Sequence, residues 1–211
     1  IDAHAGDSPF EMTTDGKGQL FAFAGLKDGP LPTHYEPWET PVRNAVHPGQ
    51  DRSPAAKLHD RPDNRYHEIG DLRFPHVITT YRLTEHYTAG AMSRNLPWLA
   101  ELQPEGFVEL DPILAAELGI GNGGWATIGT LRGEIEAKAL VTDRIRPLTV
   151  GGRRLHQVGL PWHFGYSGPV VGGIANDLSA LVEDPNSLIH EAKSFTCSVR
   201  AGRLRGEKPG V

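Results

Sequence analysis

Polar and charged residues interrupt an apolar pattern at Thr79–Asn95, TTYRLTEHYTAGAMSRN, where a strand should be turning into a helix. The segment holds the hydroxyls of Thr84 and Thr88, the imidazole of His86, the carboxylate of Glu85 and the cations Arg82 and Arg94. Hydroxyls and free backbone N–H groups at a strand exit can receive phosphate oxygens or the edge of a heterocycle, and arginine supplies compensating charge. A local reading competes with this one: Thr84 and Thr88 cap the helix, and Glu85 pairs with Arg82 in solvent.

A second polar cluster lies at Gly159–Tyr166, GLPWHFGY, with Asn176 soon after. Trp162 offers an aromatic face, and Gly165 lets the backbone come close to a ligand. His163 either bonds a ligand oxygen or is a core histidine satisfied by a backbone carbonyl. Asn176, both donor and acceptor, can read an amide-like edge or cap a helix beginning near Asp177. Lys193, just before the last predicted strand, reads from its position alone as a solvated lysine.

Other chemistries find little support. Among the ten histidines, His34, His47, His59, His67 and His76 are scattered through a proline-rich third. None pairs at the i, i+4 spacing of a helical metal site, and no HExxH unit occurs. No G-x-S-x-G elbow presents a nucleophilic serine. The lone Cys197 permits neither an intrachain disulfide nor a thiolate cluster, and its strand-like setting, SFTCSVR, suits a small buried residue.

These clusters need a scaffold. A chain of 211 residues with 38% hydrophobic content can bury one good core, and 25 glycines with 17 prolines favour strands joined by turns over a helix bundle. The net charge of −5 without a basic run argues against nucleic acid. No apolar run approaches the roughly 18 residues of a membrane span, and the N-terminus lacks a signal layout, so membrane insertion is not expected.

Residues 1–17 read as a polar linker and Gly18–Gly25 as a short strand. Five prolines in Gly29–Gly49 suit an extended arm anchored by Tyr35 and Trp38, lying over another surface or on this domain's own barrel. Residues 50–73 read as a surface loop. From there the pattern predicts a strand from Phe74 to near Leu83 and a short helix from Ala91 through Trp98 to Leu102. Further on come a strand at Phe107–Leu110, an N-cap at Asp111 with Pro112 at the first helical position, and a helix over Ile113–Leu118 ended by Gly119 and Gly121. Trp125–Leu131 and Glu134–Val141 form a hairpin around Arg132–Gly133. The pattern alone supports a small mixed β-barrel over 74–211, with 1–73 as linker, strand and arm.

The polar segment, followed in order by FVELDPILAAELGIGNG, RGEIEAKALVTDRIRPL, GLPWHFGY, ANDLSALVEDPN and EAKSF, resembles the C-terminal region of the large subunit of molybdenum- or tungsten-dependent formate dehydrogenases. The likeness reaches upstream to LFAFAGLKDGPLPTHYEPWETPV. It implies a double-psi β-barrel, mainly β with short helices, that binds molybdopterin guanine dinucleotide of a Mo or W centre. It also implies cofactor contacts from Arg82, Leu83, Thr84, Glu85, His86, Thr88, Trp162, His163, Asn176 and Lys193, the two polar clusters converging at one rim. No catalytic or metal-ligating residue is implied in this chain. The [4Fe–4S] cluster and the metal-ligating cysteine or selenocysteine would belong to the remainder of the large subunit, with an iron–sulfur electron-transfer subunit as further partner and a periplasmic setting. On this reading the chain is a portion of a catalytic subunit and is inactive alone. Two alternatives are the same barrel in a nitrate reductase or formylmethanofuran dehydrogenase, and a non-catalytic double-psi barrel that binds proteins.

Overall fold

The computed structural model describes residues 25–29, 33–191 and 193–204. The chain divides into two compact units, Ile1–Thr33 and His34–Val211. The predicted strand Gly18–Gly25 falls, but for Gly25, outside the described residues. Every strand and helix of the described residues belongs to the second unit.

Ten strands and two α-helices run in the order β1 (Lys57–Leu58), β2 (His76–Tyr81), α1 (Pro97–Leu102), β3 (Phe107–Leu110), α2 (Pro112–Leu118), β4 (Trp125–Gly129), β5 (Glu134–Val141), β6 (Leu148–Val150), β7 (Arg153–Leu155), β8 (Gln157–Pro161), β9 (Val182–Glu183) and β10 (Ser194–Ala201). Six strands close into a barrel in the order β10-β2-β8-β3-β5-β4. Period-2 alternation drives the closure: Ile135, Ala137 and Ala139 of β5 point inward to meet Ile78, Val108, Leu110, Ile128, Val158, Phe195 and Cys197. Alanines at 126, 137 and 139 suit the narrow interior, and Cys197 is fully buried there.

The pairing has an internal two-fold pattern. Exchange the first three barrel strands (β2, β3, β4) with the last three (β5, β8, β10), and the circular order is reproduced. The parallel pair β2/β8 maps onto the parallel pair β3/β5, and antiparallel β10/β2 onto β4/β5. Each parallel pair also carries a bond at its exit, from the residue after the later strand to the last residue of the earlier one: Trp162 N–H donates to the Tyr81 carbonyl (3.1 Å), and Thr142 N–H to that of Leu110 (3.0 Å). This is the double-psi barrel.

Helix α2 begins as its sequence dictates. Asp111 Oδ1 accepts from the N–H groups of Ile113 (3.0 Å) and Leu114 (3.1 Å), Pro112 opens the helix, and Gly119 ends it at φ 66°. Leu114 and Ala115 press onto the barrel core.

Several expected boundaries move. The strand from Phe74 begins at His76 and stops at Tyr81, not near Leu83. The expected helix Ala91–Leu102 splits into a 3-10 turn, Ser93–Asn95, and α1, because Pro97 forces Leu96 into extended backbone (φ −90°, ψ 120°). The first hairpin strand ends at Gly129 instead of Leu131. Residues 50–73 are not a plain surface loop: β1 pairs with β9, and Asn64 and His67 are buried. The β6–β7 hairpin turns on Gly151 and Gly152, both at positive φ, and was not expected.

Of the two placements open to the proline-rich arm, its part from His34 onward packs on the barrel. The buried Glu39 carboxylate receives both terminal nitrogens of Arg132, which also donates to the Leu178 carbonyl (2.7 Å). Trp38 meets Tyr66 edge-to-face at 6.1 Å, and the Tyr66 hydroxyl donates to the Leu181 carbonyl (2.9 Å).

Candidate functional site

Because β2 and β8 are parallel and in register at Tyr81 and Pro161, the chain leaves the barrel twice at the same place. The segments after β2 and after β8, which carry the two polar clusters, therefore start side by side. Distant sequence is joined here by strand direction.

Side chains then lock the two segments together. The Leu83 N–H donates to His163 Nε2 at 2.8 Å, and His163 Nδ1–H donates to the Thr88 carbonyl at 2.8 Å. Thr88 adopts φ 49°, an uncommon conformation for a residue with a side chain, and this aims its carbonyl at the ring. Gly90 (φ 79°) sits so close that a Cβ there would fall 2.0 Å from the His163 carbonyl oxygen, so only glycine fits. Arg94 reaches across to donate to the carbonyls of Ser167 (2.9 Å) and Val170 (3.0 Å). Its charge serves the loop junction. His86, fully buried, donates from Nε2 to the Gln103 carbonyl (3.0 Å), and its Nδ1 meets the Ser93 hydroxyl (3.2 Å).

These contacts leave a cavity of about 410 Å³ lined by Arg82, Leu83, His86, Tyr87, Thr88, Ala89 and Trp162. Arg82 lies over the Trp162 ring, 5.4 Å from its centroid, and forms no ion pair among the described residues. The expected pair with Glu85 is absent, and neither Thr84 nor Thr88 caps a helix. The amides of Thr84, Glu85, Thr88 and Ala89 likewise have no hydrogen-bond partner among the described residues. A guanidinium held on an aromatic face beside open N–H groups is a donor set for an oxygen-rich anion with a planar ring. Burial holds the His163 ring below the ordinary imidazole pKa. The Thr88 carbonyl opposes that shift, while nearby Arg82 and His86 add to it. The ring therefore stays neutral, as acceptance from Leu83 requires.

The other predicted residues fall elsewhere. Thr84 is exposed and Glu85 half-buried in the same segment, outside the cavity lining. Asn176 is an exposed member of the 3-10 turn Ala175–Asp177, so it does not cap a helix, and it lines a different groove of about 550 Å³ with Arg61, Arg132 and Ser179. Lys193 is exposed and lines neither; its carbonyl accepts from the Thr80 N–H (3.2 Å). The structure thus brings Arg82, Leu83, His86 and Thr88 together with Trp162 and His163, while among the described residues Asn176 lines the other groove and Lys193 neither of the two. Tyr87 and Ala89 were missed as lining residues. Their neighbour Gly90, which sets the turn, was the available signal.

Among the described residues no group of three or more His, Cys, Asp or Glu side chains is placed to hold a metal, and no helix is long and apolar enough to cross a membrane.

A closed six-stranded double-psi barrel with a cavity at the joint exit of a parallel pair defines a ligand-binding barrel. Residues 77–195 match the family described as Molydopterin dinucleotide binding domain, and the chain belongs to that family. Over 94% of its length it is 41% identical to Formate dehydrogenase 2 subunit alpha (cytochrome c-553) of Nitratidesulfovibrio vulgaris, and over 92% it is 43% identical to the Formate dehydrogenase-O major subunit of Escherichia coli. The chain spans about a fifth of each relative, 20% and 19% of their lengths. Acetylene Hydratase from Pelobacter acetylenicus shares the fold at a TM-score of 0.53 and 15% identity, over 82% of this chain and 21% of that one.

Proposed function

We propose that this chain holds molybdopterin guanine dinucleotide of a Mo or W centre that interconverts formate and carbon dioxide, as the C-terminal portion of a formate dehydrogenase catalytic subunit. The observation that carries this reading is the Arg82 guanidinium on Trp162, which has no ion-pair partner among the described residues and stands beside amides that are open among them. Arg82, Thr84, Thr88 and the open amides would hold phosphate oxygens, and Trp162 would lie against a planar ring. The Leu83 backbone completes this wall, and Glu85 is proposed as a contact beside it. An extended dinucleotide touches separated patches, and Asn176 and Lys193 are the donors proposed for its further reach. His86 and His163 would act on the cofactor through the shape of the loops, since their ring nitrogens are already engaged.

When bound, the cofactor supplies the redox-active metal, and the protein contributes binding, orientation and electrostatics. The remainder of the subunit would carry the metal-ligating residue and a [4Fe–4S] cluster, passing electrons to an iron–sulfur subunit in the periplasm. The test is the enzyme purified with this chain in place. Formate should reduce the oxidised enzyme and nitrate should not reoxidise the reduced one, and Arg82→Ala with Trp162→Ala should lower its guanine nucleotide and Mo or W content severalfold. Unchanged cofactor content in that double variant would refute the site, and nitrate turnover without formate turnover would refute the activity.

A further inference from the structure

Residue type leaves His163 open to bonding a ligand, but both of its ring nitrogens are spent on the protein's own backbone, 80 and 75 residues away in sequence. The partners fix the tautomer without ambiguity. A backbone N–H can only donate and a carbonyl can only accept, so Nε2 must be bare toward Leu83 and Nδ1 must carry the proton toward Thr88. The two contacts straddle Thr84–Tyr87, so a single ring sets both ends of the stretch that forms the cavity wall.

We propose that His163 is a positioning residue: its neutral, Nδ1-protonated ring clamps Leu83 and Thr88 and so holds Arg82 and the open amides at the spacing the cavity requires. Two further features single out this clamp. Thr88 occupies positive φ, which an L-residue adopts at some cost, and the conformation is retained by the bond to the ring. Gly90 packs directly on the His163 backbone, so the histidine and the loop tip are seated against each other from two sides. The clamp also withdraws the Leu83 N–H from any ligand, which leaves the amides beyond it to do the binding. This last consequence rests on the cofactor reading above; the clamp itself does not.

The test uses the full 211-residue chain. Nitrogen-15 NMR should show His163 with a protonated Nδ1 and an unprotonated Nε2, and the Leu83 amide should exchange with solvent at least about tenfold more slowly than those of Thr84 and Glu85. In His163→Asn, too short to reach Leu83, exchange at Leu83 should rise by about tenfold while the amides of Ile78 and Ile128 stay protected. His163→Gln, whose longer amide reaches both partners, should restore most of the protection. In the enzyme that contains this chain, Asn should lower guanine nucleotide content and Gln should largely preserve it. A protonated Nε2, or equal Leu83 exchange in wild type and His163→Asn, would overturn the proposal. If both variants unfold, the wild-type tautomer and the wild-type exchange pattern still decide it. A clamp that passes these tests while the enzyme containing this chain is purified free of guanine nucleotide would sink the cofactor reading and leave the clamp standing.

Discussion

Glu109 shows how much one side chain can depend on another. It is fully buried on β3. One carboxylate oxygen meets Arg144, and the other has no hydrogen-bond partner among the described residues. The same carboxylate, after burial itself, helps push the Tyr81 phenol well above its ordinary pKa. Removing Arg144 strands a desolvated charge, whereas making Glu109 neutral removes the need for a counter-ion. Arg144 is largely exposed, its side chain 61% accessible, so water recovers part of the loss. Arg144→Ala is expected to cost about 1–3 kcal/mol in urea unfolding, and adding Glu109→Gln should recover much of it. Equal stability of Arg144→Ala and wild type would show that the carboxylate does not need its partner.

At the scale of elements, the clearest prediction concerns α2. Asp111 satisfies two N–H groups of the first turn with one oxygen, and its other oxygen accepts from His156 Nδ1 at 2.7 Å. Asp111→Ala should therefore lose about 2 kcal/mol by thermal or urea unfolding, more than an exposed cap would. Elements of this kind were legible in the sequence. The Asp-Pro start and glycine stop of α2, the strand Glu134–Val141 and the burial of Cys197 follow from local chemistry and period-2 patterning. The junction of the two polar clusters was not. It depends on the parallel pairing of β2 with β8, and nothing local in either segment announces its partner. For the same reason the sequence could not say that His86 and His163 would spend their nitrogens on the loops, or that Asn176 would face a separate groove. Pro97 was on view, and its restriction of Leu96 could have divided the expected helix in advance.

For the whole molecule, acid is a condition to which the fold is exposed. Burial, reinforced by His156, pushes His76 from 6.5 down to about 4, and His163 is shifted the same way by its own burial. Both rings are neutral in the native state, while in the unfolded chain they take up protons near pH 6.5. Unfolding therefore binds protons, so this stability is complete above pH 6.5 and is lost as pH falls toward the native values. The midpoint of urea unfolding should drop between pH 7 and 5, above the carboxylate range, by an amount equivalent to roughly 1–2 kcal/mol. A flat profile over that interval would contradict the burial of these rings as neutral groups.

The order β10-β2-β8-β3-β5-β4 has one more consequence, for how the polypeptide can be divided. Strands from its two halves alternate all the way round, so each is flanked only by strands of the opposite half, and a half on its own has no barrel ladder to form. Cleavage in the turn between β4 and β5 should yield two pieces that, the short β6–β7 hairpin aside, are without sheet signal by circular dichroism and that regain it on mixing, as interleaved fingers of two hands hold only together.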